Sequence, residues 1–196
     1  LGFVTSGGKK MSKTLGNVIA PAEIVAKYGV DPFRYYFLRH VPSYEDGDFS
    51  WERFEAAYNN ELANELGNAV SRTAAMITRY QKGLIGDTPD PEHDVAKYLE
   101  ALGACHFDRA LDEVWEQIRG LNQYIDEEKP WELAKTGDDD HLREVLAYQA
   151  GALLQIAELL TPFLPETAEK IQAVFKEGIV RPLGGTLFPK DKVAEN

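Results

Sequence analysis

Cysteine and long apolar runs are both scarce in this chain of 196 residues. The single cysteine, Cys105, cannot form an internal disulfide, which is typical of a protein kept in a reducing cytoplasm. No apolar run approaches the roughly 20 residues that a membrane-spanning helix needs, and no charged and then apolar leader opens the sequence. We therefore expect a cytoplasmic protein with no membrane partner.

Basic residues are also in short supply. The chain has 21 Lys and Arg against 32 Asp and Glu, a net charge of −11. That balance argues against a general nucleic-acid binder that relies on phosphate neutralisation. The first 50 residues are close to neutral, so the acidic excess lies in the later part, and any contact with nucleic acid must be local.

No set of metal ligands can be recognised, and we expect no bound metal. The four histidines are isolated along the chain, and Cys105 has only His106 beside it. The acidic clusters at 126–128 and 138–140 are interpreted as solvated or capping residues at helix ends.

A loop rich in glycine and lysine opens the chain, over Ser6–Thr14. The adjacent glycines Gly7 and Gly8 allow backbone dihedrals closed to other residues, and successive N–H groups there can form an anion-binding nest. Three lysines within five residues add mobile charge. The pattern favours a polyphosphate site, with a solvated surface loop as the alternative. A Walker loop is excluded because Gly8 stands where a lysine is required.

The remaining pattern is mainly α-helical and divides near residue 50. The first part reads as mixed, with a strand end near Val4, a helix from Pro21, a second helix capped by Asp31 before Pro32, and a short strand at 48–50. From Trp51 onward, apolar residues spaced by three and four predict an antiparallel helical bundle. We therefore predict a small mixed α/β region, residues 1–50, followed by a bundle, residues 51–196.

Apolar stripes and end signals delimit the helices of that bundle. The helices are predicted from Ser50, as cap, to about residue 82, from about 93 to 102, then one ended by Pro130, and at 131–135, 139–160 and 165–175. The inward stripe of the first is predicted at Phe54, Tyr58, Leu62, Leu66, Ala69, Val70, Thr73 and Ile77. That of the third is predicted at Leu111, Val114, Trp115, Ile118, Leu121 and Ile125.

Polar residues on the first bundle helix depart from this core pattern. Asn60, Asn64, Asn68 and Arg72 recur every four residues along one side. Amides and a guanidinium can read the edges of unstacked bases, but they can also bridge helices or face water. Trp131, directly after Pro130, suits base stacking or ordinary packing between helices.

Several segments occur in the order found in one enzyme family. Lys10-Met11-Ser12-Lys13-Thr14 resembles the KMSKS signature of class I aminoacyl-tRNA synthetases. The other segments are Gly29–Arg39, Asp46–Ser50, Asn60–Asn68 with Arg72, and Lys129–Trp131. Together they resemble the C-terminal half of methionyl-tRNA synthetases, over nearly the whole chain.

The resemblance implies a function for each region. Residues Lys10, Met11, Ser12, Lys13 and Thr14 would close over ATP, bound with Mg²⁺, and Lys10 and Lys13 would be catalytic, with Lys13 stabilising charge on the pyrophosphate. The region behind this loop would contact the tRNA stem. Asn68, Arg72 and Trp131 would contact the CAU anticodon of tRNA(Met), with Asn60 and Asn64 as packing or supporting residues.

Parts of that family have no counterpart in this sequence. The nucleotide-binding fold with its HIGH motif, the methionine pocket and the zinc-bearing insertion are not found, and the first residue is Leu1. We expect a fragment that lacks ligase activity alone, carries no cofactor and is a monomer, whereas the parent enzyme would join methionine to tRNA with ATP. Two alternatives stay open: the same half of a synthetase for leucine, valine or cysteine, and a helical interaction module without a nucleic-acid role.

Overall fold

A computed structural model describes residues 4–12, 14, 17–41, 44–88 and 95–190. The fold is mainly α with one small sheet, which confirms the predicted class. Its strands are β1 Val4–Ser6, β2 Lys9–Lys10 and β3 Gly47–Phe49. Its helices are α1 Pro21–Tyr28, α2 Val30–Arg39, α3 Trp51–Ala57, α4 Asn68–Gln81, α5 Ala96–Gly103, α6 Phe107–Glu128, α7 Pro130–Thr136, α8 Asp139–Leu160 and α9 Pro165–Phe175. A π-helical segment, Tyr58–Gly67, joins α3 to α4, and a 3₁₀ turn, Lys176–Gly178, follows α9.

The sheet places β1 between β2 and β3. β1 pairs antiparallel with β2 and parallel with β3. Gly7 and Gly8 form the turn between β1 and β2, with φ of 59° and 72°, as a two-residue hairpin turn with both residues at positive φ requires. Lys9 and Lys10, which we predicted in a loop, therefore lie on a strand, and that part of the loop prediction is wrong.

Helix α2 begins earlier than the sequence suggested. Gly29, at φ 95°, ends α1 and precedes α2, so Asp31 lies inside the first turn and its prediction as an N-cap is wrong. Asp31 is instead buried, and its Oδ2 accepts the backbone N–H of Thr167 at 2.7 Å. Thr167 is in the first turn of α9, where N–H groups lack partners within the helix. The carboxylate thus caps a helix distant in sequence and fixes α2 to α9.

The long helix from Trp51 starts as predicted, because the Ser50 side chain accepts the N–H of Arg53 at 3.2 Å. Its predicted inward residues are all buried. In the π-helical segment, however, hydrogen bonds run i to i+5 and each turn is wider than in an α-helix. From α3 through this segment the large buried side chains recur every four positions, at Phe54, Tyr58, Leu62 and Leu66, whereas the buried positions of α4 mix steps of three and four. The predicted helix is therefore continuous from Trp51 to Gln81, but its middle part is π-helical, which the sequence pattern did not predict.

The core of the bundle lies on α6 and α8. The predicted inward residues of α6 are all buried, and α8 and α9 have the predicted bounds. The core continues across residue 50, since the ring of Tyr35 on α2 packs at a tilt against Trp115 of α6 with ring centroids 4.5 Å apart. The division into regions at that residue stays a prediction.

The shorter helices agree with the sequence patterns within a few residues. Lys129 adopts the left-handed conformation that ends α6, and Pro130 opens α7. α5 starts at Ala96, after its predicted start near His93, a residue outside the described ones. Within the described ranges, no helix is both long enough and apolar enough to cross a bilayer.

Candidate nucleic-acid interface and lysine loop

The lysine loop leaves the sheet at the end of β2. Lys10 and Thr14 are exposed, Ser12 is half-buried, and Met11 packs against the edge of the core. Lys13, the second lysine of the signature, lies outside the described residues. The geometry of the loop is thus defined on its N-terminal side, from Lys10 to Ser12.

Asn17 holds that side of the loop. Its Oδ1 accepts the backbone N–H of Ser12 at 2.8 Å, and its Nδ2 donates to the carbonyl of Lys10 at 3.2 Å. One amide side chain therefore forms hydrogen bonds with the backbone at both ends of the segment Lys10–Ser12. We did not select Asn17 from the sequence; an asparagine just after a glycine is a turn signal that could have identified it.

The carboxylate of Asp48, on β3, accepts a hydrogen bond from the glycine turn. Its Oδ1 accepts the N–H of Gly8 at 2.8 Å and the hydroxyl of Thr5 at 2.7 Å. These hydrogen bonds, with Gly8 contributing most, lower the pKa of the Asp48 carboxyl despite the opposing effect of burial. The Gly8 N–H that the sequence suggested for a phosphate is thus taken by the protein's own carboxylate.

The polar line on the long helix faces solvent. Asn60, Asn64 and Asn68 are exposed, so Asn60 and Asn64 do not pack between helices as we had expected. A step of four residues is slightly more than one turn of an α-helix, which takes about 3.6 residues. The same step is less than one turn of the wider π-helix. The two deviations offset each other, which keeps these residues and Arg72 near one line.

Arg72 and Trp131 meet at the end of that line. The guanidinium carbon of Arg72 lies 5.6 Å from the centre of the Trp131 ring, within the range of a cation–π contact. Arg72 also donates to Asp126 at 2.8 Å. Trp131 is half-buried against the core, so part of its indole remains accessible. The structure brings together α4, α6 and α7 at this point.

A groove lined by both polar and apolar residues lies beside Asn68. One wall is the helix face with Asn64, Asn68 and Ser71. The other is the segment 186–190, which comes after the 3₁₀ turn Lys176–Gly178. The groove has a volume of about 480 Å³, and Lys190 stands at its rim, donating to Asn64 Oδ1 at 2.5 Å. Asn64 and Asn68 therefore border a concave surface and not a flat one.

A second groove of similar volume, between α6 and α8, has the opposite charge. Glu113, Glu116 and Glu127 line it, together with Tyr124 and Tyr148, whose ring centroids are 4.6 Å apart. Burial and neighbouring carboxylates raise the pKa of Tyr124 to about 12, so its hydroxyl stays protonated at neutral pH. Carboxylates repel phosphates, which makes this face unsuited to RNA.

A charged network attaches the π-helical segment to α2. The carboxylate of Glu61 accepts from Tyr35 and contacts His40 at 2.9 Å and Arg39 at 3.6 Å. Burial opposes ionisation of Glu61, but the hydrogen bonds from His40 and Tyr35 and the charge of Arg39 lower its pKa. These contacts fix the helix that carries the polar line. Among the described residues, no group of three or more His, Cys, Asp or Glu could hold a metal ion.

Comparisons with known proteins show which family this chain resembles. The first part of the chain, residues 1–74, matches the family model for tRNA synthetases class I (M). The chain is 43% identical over 183 residues to a methionine–tRNA ligase of Clostridium acetobutylicum, and 40% identical over 183 residues to that of Bacillus subtilis. Each match covers 87% of this chain and 28% of the relative, so the chain spans just over a quarter of the length of these curated relatives.

Solved structures show the same likeness. The crystal structure of Mycobacterium tuberculosis methionyl-tRNA synthetase bound by methionyl-adenylate superposes with a TM-score of 0.83 at 26% identity, covering 95% of this chain and 43% of that one. The fold, the signature loop and the ordered motifs thus relate the chain to the class I aminoacyl-tRNA synthetases. Within that class its relatives are the methionyl-tRNA synthetases, and it corresponds to a C-terminal part of such an enzyme.

Proposed function

We propose that this chain is the tRNA-binding part of a methionine–tRNA ligase and that its bundle binds tRNA(Met) through the CAU anticodon. The observation that carries the proposal is the solvent-facing line of Asn68 and Arg72 that ends at the half-buried indole of Trp131. Single-stranded RNA loops are recognised by stacking on aromatic rings and by hydrogen bonds to base edges. This line offers both within one surface.

Each of the three side chains has a distinct task. The Trp131 ring stacks on a base, which is worth about 1–3 kcal/mol. Asn68 presents a donor and an acceptor together, and Arg72 presents a planar fork of donors. The exposed ion pair of Arg72 with Asp126 is worth at most about 1 kcal/mol, so a base can compete for the guanidinium at little cost.

The lysine loop belongs to the chemistry of the parent enzyme. In that enzyme Lys10 and Lys13 stabilise negative charge on the phosphates of ATP, which is bound with Mg²⁺, while methionyl-adenylate forms. Met11, Ser12 and Thr14 complete the ATP-binding loop, and the two hydroxyls can donate hydrogen bonds. The pairing of Asn17 with Ser12 and Lys10 supports this by fixing the backbone that presents Lys10. We also propose a cytoplasmic monomer, with residues 1–50 contacting the tRNA stem.

The test is binding of a stem-loop RNA with CAU in its loop, against the same RNA with a changed anticodon, at two salt concentrations. The wild-type chain is expected to prefer CAU, and Trp131→Ala is expected to lose about 1–3 kcal/mol and most of that preference. Trp51→Ala, which removes a half-buried indole packed against Phe49 and Phe54, is the control. Equal binding of both RNAs would favour another class I synthetase, and no binding would favour a helical interaction module.

A further inference from the structure

The groove beside Asn68 contains features that the three proposed anticodon residues do not use. Its helix wall carries Asn64 and Ser71 as well as Asn68, and its other wall includes Thr186, Phe188 and Lys190. The described lining residues include one cation and no carboxylate. In a chain with a net charge of −11, a groove of that composition is a distinctive local environment for an anion.

The wall formed by segment 186–190 is firmly attached to the rest of the fold. Leu187 and Phe188 are buried, the Tyr58 hydroxyl donates to the carbonyl of Pro189 at 2.9 Å, and Phe188 meets the Tyr58 ring edge-on. The Phe188 ring also lies against Gly67, where an added Cβ would be 3.5 Å from it, an ordinary van der Waals distance. The groove is therefore a built feature and not a gap beside a loose end.

Lys190 is available for a ligand. Its ammonium group is exposed and contacts the neutral side chain of Asn64, and it forms no ion pair with a described carboxylate. Asn64, Asn68 and Ser71 offer donors and acceptors along the opposite wall. Asn64, Asn68 and Arg72 follow one another at steps of four residues along the polar line, so the groove continues the line that ends at Trp131.

We propose that this groove is an additional nucleotide subsite for the single-stranded loop of the RNA. A nucleotide next to those read by Asn68, Arg72 and Trp131 places its base against Asn64 and Ser71 and its phosphate against Lys190. The proposal rests on the proposed function, since it assumes that an RNA loop lies along the helix. It assigns to Lys190 and to segment 186–190 a role that does not follow from the sequence motifs.

The experiment measures the affinity of the CAU stem-loop for Lys190→Gln over a range of salt concentrations. A lost phosphate contact lowers the slope of log K against log salt by roughly one. The matched control is Lys97→Gln, which removes the same charge from an exposed site on α5. Thermal melting of both variants checks that each is folded. Asn64→Ala is then tested with RNAs carrying one abasic position at a time.

The outcomes separate this subsite from the proposed function. The expected result is a reduced salt slope for Lys190→Gln alone, and one abasic position that weakens wild-type binding but not that of Asn64→Ala. If CAU preference depends on Trp131 while the two lysine variants behave alike, the subsite is wrong and the proposed function stands. If no RNA binds the wild-type chain above background, both are wrong for this polypeptide.

Discussion

The lysine loop with its β1–β2 hairpin and the helical bundle are built by different forces. The loop and its hairpin take their form from polar contacts at the surface, with Asn17 on Ser12 and Asp48 on Gly8. The bundle takes its form from apolar side chains with no exposed surface, such as Trp115 and Ile118. Buried apolar area dominates folding stability, whereas hydrogen bonds at exposed sites contribute little net.

This difference explains how the two candidate sites are presented. The polar line on the long helix is rigid because the opposite side of the same helix is buried in the core. Among the described residues of the signature, only Met11 packs against the core. Asn17 and Asp48, from outside the signature, hold the backbone of the loop. Changes in the bundle should therefore alter global stability, and changes near the loop should act locally.

The largest effect is expected from the core of α6. Ile118 is fully buried, so Ile118→Ala should lower the free energy of unfolding by about 2–5 kcal/mol through lost burial and a cavity. Chemical denaturation measures this. The control is Leu99→Ala on α5, which is 57% exposed and should change stability by less than about 0.5 kcal/mol. Similar values for both would contradict the assignment of the core.

A smaller loss of stability is expected where α2 meets α9. Asp31→Ala leaves the Thr167 N–H without its partner in a buried setting, which should cost about 1–3 kcal/mol. Asp140→Ala, at a side chain 91% exposed, should cost far less. If the two variants melt at the same temperature, the carboxylate of Asp31 does not hold α2 to α9.

Acid should release the hairpin without unfolding the bundle. The folded-state pKa of Asp48 is depressed, so its stabilisation is present above the ordinary Asp value of about 3.9 and is lost as pH falls through the lower, folded-state pKa. The amide NMR signal of Gly8 should titrate with that midpoint, while the signal of Ile118 should not move. A Gly8 midpoint at or above the ordinary value would count against the contact, and Asp48→Asn should abolish the titration.

The smallest effect is expected at Asn17. Asn17→Ala removes the acceptor for Ser12, so hydrogen exchange at the Ser12 amide should accelerate with little change in global stability. Asn17→Asp keeps an oxygen for Ser12 but loses the donor to the Lys10 carbonyl, and should retain part of the protection. Unchanged exchange in both variants would show that the loop is held by other contacts.

Periodic burial was readable from the sequence because it is repeated many times along a helix. The α6 stripe and the bounds of α8 and α9 follow from apolar spacing and from prolines at first helical positions, as at Pro165. The π-helical segment also left a trace in the apolar residues recurring four apart from Phe54 to Leu66, which a regular α-helix does not sustain on one face. That spacing was not sufficient to predict the π-helix, because apolar residues four apart are also common in α-helices.

Contacts between residues distant in sequence could not be read in this way. Asp31 carries the pattern of an N-cap, but it caps a helix 136 residues away. Asp48 fills the glycine turn from 40 residues away, and Lys190 reaches Asn64 from 126 residues away. Local propensity identifies a side chain that can accept or donate, whereas the tertiary fold selects its partner.

The most direct measurement is a titration of the isotope-labelled chain with the CAU stem-loop, followed by NMR. We expect the largest shifts at the indole N–H of Trp131 and the backbone amides of Asn68 and Arg72, with the groove between α6 and α8 unaffected because its carboxylates repel RNA. Shifts concentrated at Tyr124 and Tyr148, with Trp131 unchanged, would contradict recognition of the anticodon by the polar line.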